Sequence, residues 1–285
     1  MDVSVVIPAY NEESNIAKCI QSIQKNTVKP LEIIVCDGRS EDRTAEIARE
    51  NGATVLDNPE RTAAAGRNVG ISNASGEIIA FTDGDCEVDS RWIENIVKEF
   101  RDGSLDGLGG RTVPMPGNMV ENFWGHLSLE VIMNFPDESY YVKERSLNDA
   151  FITANCAYRK STLERIGGFD PWFGNNAEDV DLSWRMLKDG AKLLYTPDMI
   201  VTSRSPSTIR SMCRKSYRNG VSSTKLQKRH SGERKSFDKR LYPMLIRSSL
   251  GPLTFNREKT LLFLELSSHL WGKLVSSIRY RYPNM

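Results

Sequence analysis

Residues 77–85 read Glu-Ile-Ile-Ala-Phe-Thr-Asp-Gly-Asp, an apolar run that leads directly into two acidic side chains. The continuous apolar run predicts a buried strand. Asp83 and Asp85 follow it one residue apart, so both carboxylates can reach one hard cation. Mg²⁺ and Mn²⁺ prefer such oxygen ligands and can bridge them to a diphosphate. The stretch therefore predicts a metal–diphosphate site at the end of a strand.

The flanking sequence repeats the alternation of strand and helix signals. Further strands are predicted at residues 3–7, 31–36 and 53–56, with helices from about residue 13, from Ser40 as a candidate cap, and over 62–73 and 89–101. Repeated β-α units with apolar strands indicate a mostly parallel sheet flanked by helices on both faces. Ligands of such sheets bind at the carboxyl ends of the strands. We therefore expect residues 9–12, Asp37 and Asp83 to lie along one edge.

The pattern changes after residue 105. Strands are predicted at 108–113 and 151–158, and helices at 118–134 and 177–189. Apolar residues of the 118–134 helix share one stripe. That stripe fits either a core-facing surface or an apolar wall for an acceptor. The second helix carries the acidic cluster Glu178-Asp179-Val180-Asp181, which is a source of a catalytic base.

Composition and cysteine usage are those of an ordinary globular protein. The five cysteines are widely spaced and include no Cys-x-x-Cys pair, so neither a zinc ribbon nor a disulfide framework is expected. A reducing cytoplasm fits this usage. The N-terminus lacks the pattern of a signal peptide, and no stretch reaches the roughly twenty apolar residues that span a bilayer. We therefore expect a cytoplasmic protein, peripheral to the cytoplasmic face of a membrane if it is attached to one.

A strong charge asymmetry is hidden in the near-neutral total. Residues 201–285 hold 18 Lys or Arg and 4 Asp or Glu, a net of +14, whereas residues 1–200 carry a net of −13. The asymmetry marks the tail as a separate unit, which is either a solvated basic helix without a partner or a surface that faces an anionic partner. An anionic membrane surface or a polyprenyl phosphate fits, and apolar residues between 261 and 274, among them Leu261 and Leu266, can add a face lying in the membrane interface. Nucleic acid is not expected, because there is no recognition motif and few aromatic residues could stack on bases.

Six short motifs follow one another along the chain. They are Val5-Val6-Ile7-Pro8-Ala9-Tyr10-Asn11-Glu12, Val35-Cys36-Asp37-Gly38-Arg39-Ser40, Ala65-Gly66-Arg67-Asn68-Val69-Gly70, Asp83-Gly84-Asp85, Ile166-Gly167-Gly168-Phe169-Asp170 and Glu178-Asp179-Val180-Asp181-Leu182. In order and spacing they resemble the family 2 glycosyltransferases of GT-A fold, over residues 3–203. The resemblance implies a GT-A domain at 1–203, with a nucleotide-binding half (1–105) and an acceptor or catalytic half (106–203). Residues 204–285 would form a basic, mainly helical extension.

The resemblance also implies which residues bind the nucleotide. The segment Pro8, Ala9, Tyr10 and Glu12 lines the nucleotide pocket, and Tyr10 can stack on the base. Asp37 resembles the acid that accepts a hydrogen bond from the base, usually uracil, which favours UDP without excluding GDP. Arg67 resembles the arginine held near the base or the diphosphate.

The metal and the base follow from the same resemblance. Asp83 lies nearer the ribose, and Asp85 is the direct ligand of Mn²⁺ or Mg²⁺, which neutralises charge on the departing diphosphate. Asp179 matches the general base that takes a proton from the acceptor hydroxyl, so that one displacement inverts the anomeric centre. Glu178, Asp181 and Arg185 are candidates to lie beside the diphosphate or behind the residues that bind it. Glu178 and Asp181 more naturally position the helix than react.

The chain departs from the family at two points. Many relatives have a histidine just after the last strand that helps to hold the metal, whereas this chain reads Ile200-Val201-Thr202-Ser203-Arg204. Either the metal binds more weakly, or Arg204 itself meets the diphosphate. The Gln-x-x-Arg-Trp signature of processive synthases is also missing, which favours transfer of a single sugar.

The expected function is therefore transfer of one sugar from a nucleoside-diphosphate sugar to a glycan or polyprenyl-linked acceptor, as in cell-envelope glycan biosynthesis. The main alternative is a polyprenyl-phosphate glycosyl synthase, which would not need Asp179 as a base. A sugar-nucleotide pyrophosphorylase would require a Gly- and Lys-rich loop after the first strand, which Pro8-Ala9-Tyr10-Asn11 is not. A non-catalytic binder of sugar nucleotides is the remaining alternative.

Overall fold

The apolar run that precedes Asp83 forms the strand Ile78–Phe81, which is fully buried in the middle of a mixed sheet. The structure is a computed structural model, and it describes residues 1–101, 103–145, 150–231 and 257–281. Within those ranges the sheet has nine strands. They are β1 (Val3–Ala9), β2 (Glu32–Asp37), β3 (Thr54–Asp57), β4 (Ile78–Phe81), β5 (Cys86–Val88), β6 (Gly107–Pro114), β7 (Tyr140–Tyr141), β8 (Cys156–Arg159) and β9 (Leu193–Ser203).

Helices connect these strands and extend beyond the last of them. In the described ranges they are α1 (Ile16–Gln24), α2 (Thr44–Glu50), α3 (Ala63–Asn73), α4 (Trp92–Phe100), α5 (Met119–Gly125), α6 (Lys160–Ile166), α7 (Glu178–Lys188), α8 (Ile209–Arg229) and α9 (Arg257–Tyr280). A π-helical segment, His126–Met133, continues α5. Each described helix is too short or too polar to cross a bilayer.

The sheet changes direction at its centre. Its order is β3-β2-β1-β4-β8-β6-β9-β5, with β7 beside β9. The four strands from the first β-α repeats pair in parallel, as expected. Beyond them β4 pairs antiparallel with β8, and β5 pairs antiparallel with β9. The parallel half thus brings the ends of β1, β2 and β4 to one edge.

Alternate residues of β1 serve two separate cores. Val5 and Ile7 pack with α1 and α4 on one face of the sheet, whereas Val6 packs with α3 on the other. This period of two is a property of any strand, and burial on both faces explains why the run is continuously apolar. Gly70 lets α3 approach closely, because a Cβ at that position would meet the side chain of Val6.

Three local expectations differ from the structure. Ser40 does not cap α2, which begins at Thr44, because its hydroxyl donates instead to Asp37. The helix expected at 118–134 becomes π-helical after Gly125, and its predicted stripe is only partly buried, with Val131 exposed. The strand expected at 151–158 is confined to Cys156–Arg159.

By their contacts the residues form two units. One comprises Met1–Val113 and Met133–Arg204, and the other Pro114–Ile132 and the chain from Ser205 onward. The domain division at residue 203 stays a prediction, and the second unit adds residues 114–132 to the basic segment. Both described parts of that segment are helical, α8 and α9. Its predicted basic residues at 234, 235, 239 and 240 lie outside the described residues.

Candidate active site

Loops that follow the parallel strands form the floor of the site. The register pairs Ala9 at the end of β1 with Asp37 at the end of β2, and Gly38 donates to the Ala9 carbonyl at 2.8 Å. Asn11, Arg39 and Arg61 have positive φ angles of 55°, 59° and 59°. Such angles are unfavourable for residues other than glycine and cluster where function constrains the backbone.

The expected base-binding corner contains a residue that the sequence analysis missed. Tyr10 is exposed, and the guanidinium of Arg61 lies 5.6 Å from its ring centroid. Arg61 is fixed by a hydrogen bond from Nε to the Gly38 carbonyl at 3.1 Å. The only sequence signal for it was its position after the third strand. A planar base could stack against Tyr10 or the Arg61 guanidinium here.

Asp37 is held rigidly beside that corner. Its carboxylate accepts hydrogen bonds from the Ser40 hydroxyl at 2.6 Å and the Ser40 amide at 3.1 Å. These bonds fix the carboxylate orientation, and a carboxylate has further lone pairs for a ligand donor. Its place at the end of β2 is the one that the sequence predicted.

Arg67 brings together two distant acidic motifs. Its Nη2 donates to Asp83 Oδ1 at 2.8 Å, and its Nη1 donates to Glu178 Oε1 at 2.7 Å. The guanidinium side chain is only 3% exposed and lies over the Phe169 ring. Buried charges are stable only when they are paired and hydrogen-bonded. The ion-pair bridge therefore fixes the start of α7 against the end of β4.

Two carboxyl groups at the start of α7, the buried Glu178 and the half-buried Asp179, interact with the charge of Arg67. Burial raises the pKa of Glu178 and of Asp179, and the positive charge of Arg67 opposes both shifts. Asp179 Oδ1 accepts from the Val180 amide at 2.8 Å, at the N-terminal end of α7 where negative charge is favoured. A carboxylate with a raised pKa is better matched to proton transfer near neutral pH.

Negative charge also accumulates on the β1 side. Burial, reinforced by the carboxylates of Asp85 and Asp83, raises the pKa of Glu12 to about 7. Pro8 is half-buried and Ala9 is buried, so these two residues shape the floor through their backbone rather than through exposed side chains. Cys86 Sγ lies 3.5 Å from Asp85 Oδ1. The concentration of hard oxygen ligands is chemically suited to a divalent cation.

Arg204 lies on the same side as Asp85. The antiparallel register of β5 and β9 pairs Cys86 with Ser203, so Asp85 and Arg204 flank this pair. They line a shallow surface depression together with Lys18 and Glu87. Among the described residues, no group of three or more His, Cys, Asp or Glu is placed to hold a metal ion. A cation here would take its other ligands from a diphosphate and water.

Arg185 and Asp181 stabilise the loop before α7. Arg185 Nε donates to Asp181 Oδ2 at 2.7 Å, and its Nη2 donates to the Gly168 carbonyl at 2.7 Å. Gly167 and Gly168 both have positive φ, which only glycine adopts readily. Asn68 completes the clamp by exchanging two hydrogen bonds with the backbone of Phe169. These contacts make Arg185 and Asp181 positioning residues.

The loop that follows this turn caps α3. The Asn175 side chain accepts from the Ala63 amide at 2.6 Å, and the Gly174 carbonyl accepts from the Ala64 amide at 3.0 Å. Thr62 accepts from the Ala65 amide at 3.3 Å. The first amides of a helix have no partner within the helix. The helix that carries Arg67 is therefore held at its start by the loop that leads into α7.

Comparison with known proteins identifies related chains. The sequence model described as Glycosyl transferase family 2 matches residues 4–167. Glycosyltransferase AglE of Haloferax volcanii is 31% identical over 209 residues, which are 70% of this chain and 65% of AglE. The pre-mycofactocin glycosyltransferase of Mycobacterium tuberculosis is 28% identical over 80% of this chain, which spans only 48% of that relative. The chain therefore covers about half to two thirds of these relatives.

A solved structure shares the architecture. Mannosyltransferase PcManGT of Pyrobaculum calidifontis, solved with GDP-Man and Mn²⁺, superimposes with a TM-score of 0.71 at 18% identity. The match covers 96% of this chain and 86% of that one. At this identity the likeness shows the fold, and it confirms the predicted GT-A sheet with a helical C-terminal extension.

Proposed function

This chain belongs to glycosyltransferase family 2, and from that premise we propose that it transfers one hexose from a nucleoside-diphosphate sugar to a glycan or lipid-linked acceptor. The observation that carries the proposal is the bridge from Arg67 to Asp83 and Glu178. It joins a candidate donor site on the parallel strands to a candidate base on α7. Joining these two sites is what a group transfer between two substrates requires.

The donor nucleotide would occupy the loops after β1 and β2. Tyr10 and Arg61 would flank the base. Asp37 would accept a hydrogen bond from a ring N–H group of that base. Both uracil and guanine offer such a donor, and we expect UDP to bind more tightly than GDP. Pro8 is half-buried and Ala9 is buried, so these two residues would contact the nucleotide through their main-chain atoms.

The diphosphate would lie beside Asp83, Asp85 and Arg204. Asp85 and Asp83 would hold Mn²⁺ or Mg²⁺, which supplies neutralisation of the negative charge on the departing diphosphate. The pKa of Glu12 is raised mainly by burial and further by the carboxylates of Asp85 and Asp83. The second contribution supports this assignment, because a cation offsets repulsion between carboxylates. Arg204, in the place of the histidine of many relatives, would donate hydrogen bonds to the phosphate oxygens.

Asp179 would act as the general base. It would take the proton of an acceptor hydroxyl while that oxygen forms a bond to the anomeric carbon. The bond from this carbon to the diphosphate oxygen breaks, and its electron pair leaves with the nucleoside diphosphate. One such displacement inverts the configuration. The raised pKa of Asp179 supports the role, because the carboxylate then binds the transferred proton more strongly.

We also propose that the C-terminal segment holds the enzyme at an anionic membrane surface, near a lipid-linked acceptor. α8 carries seven Lys or Arg residues and no acidic residue. Arg210, Arg214 and Arg218 recur every four residues and are exposed, which aligns them on one side of the helix. Each basic residue near an anionic surface contributes roughly 1 kcal/mol.

Calorimetric titration of the donor tests the catalytic proposal. UDP, GDP and their hexose derivatives would be titrated with and without Mn²⁺, and release of free sugar would be followed for each donor that binds. We expect metal-dependent binding of at least one sugar nucleotide and slow hydrolysis of the same donor. Absence of binding across both nucleotide series would contradict the proposal, and binding without turnover would indicate a non-catalytic binder.

A further inference from the structure

The C-terminal helix α9 buries several polar side chains and leaves several large apolar side chains exposed. Glu265, Lys273 and Ser276 are buried at 7%, 5% and 1% exposure. In contrast, Trp271 and Ile278 are 59% and 72% exposed. A helix on the surface of a protein in water normally has the opposite arrangement. The contacts of α9 with α8 explain this arrangement.

The buried side is polar because α8 offers it polar partners at close range. Ser216 donates to Glu265 Oε1 at 3.1 Å, and the Ser276 hydroxyl donates to Thr224 Oγ1 at 2.7 Å. Gly220 of α8 lies against the backbone carbonyl of His269, and Gly272 of α9 lies against that of Tyr217. A side chain at either glycine would collide with the facing helix. At these positions the helices thus pack through small and polar residues, whereas Trp271 and Ile278 point away.

The exposed apolar residues share one side of α9. Phe263, Leu270, Trp271 and Ile278 are separated by seven, one and seven positions, a spacing that places them on a common side at 3.6 residues per turn. Their exposed fractions are 36%, 46%, 59% and 72%. We call these four residues the outward face of α9. It extends about 22 Å along the helix at 1.5 Å per residue. Exposed apolar patches of this kind mark interaction surfaces.

The structure differs here from the sequence expectation. Leu261 and Leu266, which the sequence placed in the membrane interface, are buried at 3% and 4% exposure. Leu261 packs with Val120, Trp124 and Met212. Phe263 and Ile278 take their place on the exposed side.

Positive charge borders the outward face at both ends. Lys259 precedes Phe263 by four residues, which places it on the same side of α9. Arg281 directly follows Tyr280, the last residue of the helix, and both basic residues are exposed. An exposed apolar side bordered by basic residues is a feature of helices that lie in a bilayer interface. Trp271 at its centre belongs to the side-chain type enriched at that depth.

We infer that the outward face of α9 inserts into the headgroup–acyl boundary of an anionic bilayer, with the helix axis parallel to the membrane plane. This inference rests on the proposed membrane attachment and adds an apolar contact to the electrostatic one. A second copy of the chain fits the face less well. Either orientation of two packed α9 helices would bring Lys259 or Arg281 of one copy beside a basic residue of the other. Anionic headgroups instead complement both ends.

Vesicle flotation of the whole 285-residue chain tests the inference. Wild type, the double variant Trp271→Ser/Ile278→Ser and the control Leu31→Ser would be mixed with phosphatidylcholine vesicles containing 0 or about 30% phosphatidylglycerol, at low and high salt. Leu31 is 51% exposed in the other unit, so its replacement removes an exposed apolar side chain away from α9. We expect the double variant to partition at least tenfold more weakly, whereas the control matches wild type. Wild type should retain binding at 1 M salt, where electrostatic attraction is screened, and the double variant should not.

Two further measurements make the outcome decisive. Brominated lipids should quench tryptophan emission of wild type more than that of Trp271→Phe. Flotation of the double variant equal to wild type would overturn the inference and leave electrostatic attachment through α8. A wild-type dimer that the double variant dissociates, without vesicle binding, would also overturn it. Calorimetric donor binding in the same preparations reports the catalytic site separately, so its loss would count against the proposed transferase and not against the face.

Discussion

Arg67 donates a 2.7 Å hydrogen bond to Glu178, a residue 111 positions later in the chain. Both side chains are almost fully buried, and the same guanidinium also pairs with Asp83. The contact joins α3 to α7, the helix that carries the candidate base. It is therefore both a stability element and a positioning element.

Arg67→Ala is expected to lower the free energy of unfolding by about 3–5 kcal/mol, because it leaves the buried Glu178 carboxylate without its counter-charge. Urea denaturation measures the change. The matched control is Arg39→Ala, whose ion pair with Asp57 spans 3.5 Å between side chains more than half exposed. An exposed pair contributes less than about 1 kcal/mol. Equal effects of the two substitutions would contradict the structural role given to Arg67.

Asp85→Asn is expected to remove the Mn²⁺-dependent part of nucleotide affinity and to abolish transfer. The amide keeps the size of the side chain but loses the charge that holds a hard cation. Titration of UDP or GDP with and without Mn²⁺ measures the difference. Asp198→Asn, at an exposed position, is the control and should bind as wild type does. Metal-dependent affinity that survives in Asp85→Asn would move the metal site elsewhere.

Asp179→Asn is expected to preserve donor binding and to lower kcat by roughly 10²–10⁴-fold, the usual range for loss of a general base. Because burial raises the pKa of Asp179, wild-type kcat should fall on acidification at a pH above the usual carboxyl range. Steady-state kinetics across pH measures both effects. Asp189→Asn, at an exposed position at the end of α7, serves as a control. Near-wild-type turnover of Asp179→Asn would favour a phosphate acceptor that needs no base.

Glu265→Gln is expected to stabilise the protein above pH 7 and to have little effect below pH 4.5. Burial raises the pKa of Glu265 from 4.5 to about 7. The folded protein binds this proton more tightly than the unfolded chain does. The resulting stability is fully present below the unfolded pKa of 4.5 and is lost as the pH rises through about 7. A shift of this size corresponds to a penalty on the order of 3 kcal/mol at high pH.

The variant must be compared with wild type at each pH. Burial lowers the pKa of His269 to about 4 and that of Lys273 to about 8, so both residues add their own pH dependence. They are common to both proteins and cancel in the difference between unfolding free energies. Glu258→Gln, at an exposed position near the start of α9, should show no such difference. A stabilisation independent of pH would contradict the assigned titration.

The sequence predicted the parallel half of the fold because each strand there is buried on both faces. Continuous apolar runs such as residues 78–81 leave few alternatives. The antiparallel half was less predictable, since short strands such as Cys156–Arg159 take their direction from partners distant in sequence. The start of α2 was misplaced for a local reason, because Ser40 can serve either a helix or the neighbouring Asp37 carboxylate.

Candidate site residues at strand ends were predictable from topology, whereas their partners were not. Asp37 and Asp83 could be placed at one edge because parallel strands align their carboxyl ends. The bond from Arg67 to Glu178 depends on the packing of α3 against the loop before α7, which no local pattern encodes. Arg61 was missed because a lone arginine in a loop has no periodicity or motif. The outward face of α9 was misjudged because periodicity finds a stripe without showing which side faces water.

The capping of α3 by the loop at Gly174 and Asn175 gives the enzyme an internal reporter of loop opening. The Ala63 and Ala64 amides lose their acceptors whenever this loop leaves α3. Their rates of exchange with solvent deuterium would therefore count the opening events of the loop that precedes Asp179. If acceptor entry requires opening, these two amides should slow their exchange when an acceptor analogue holds the loop closed. Opening of the loop before α7 could thus be followed at the first turn of α3.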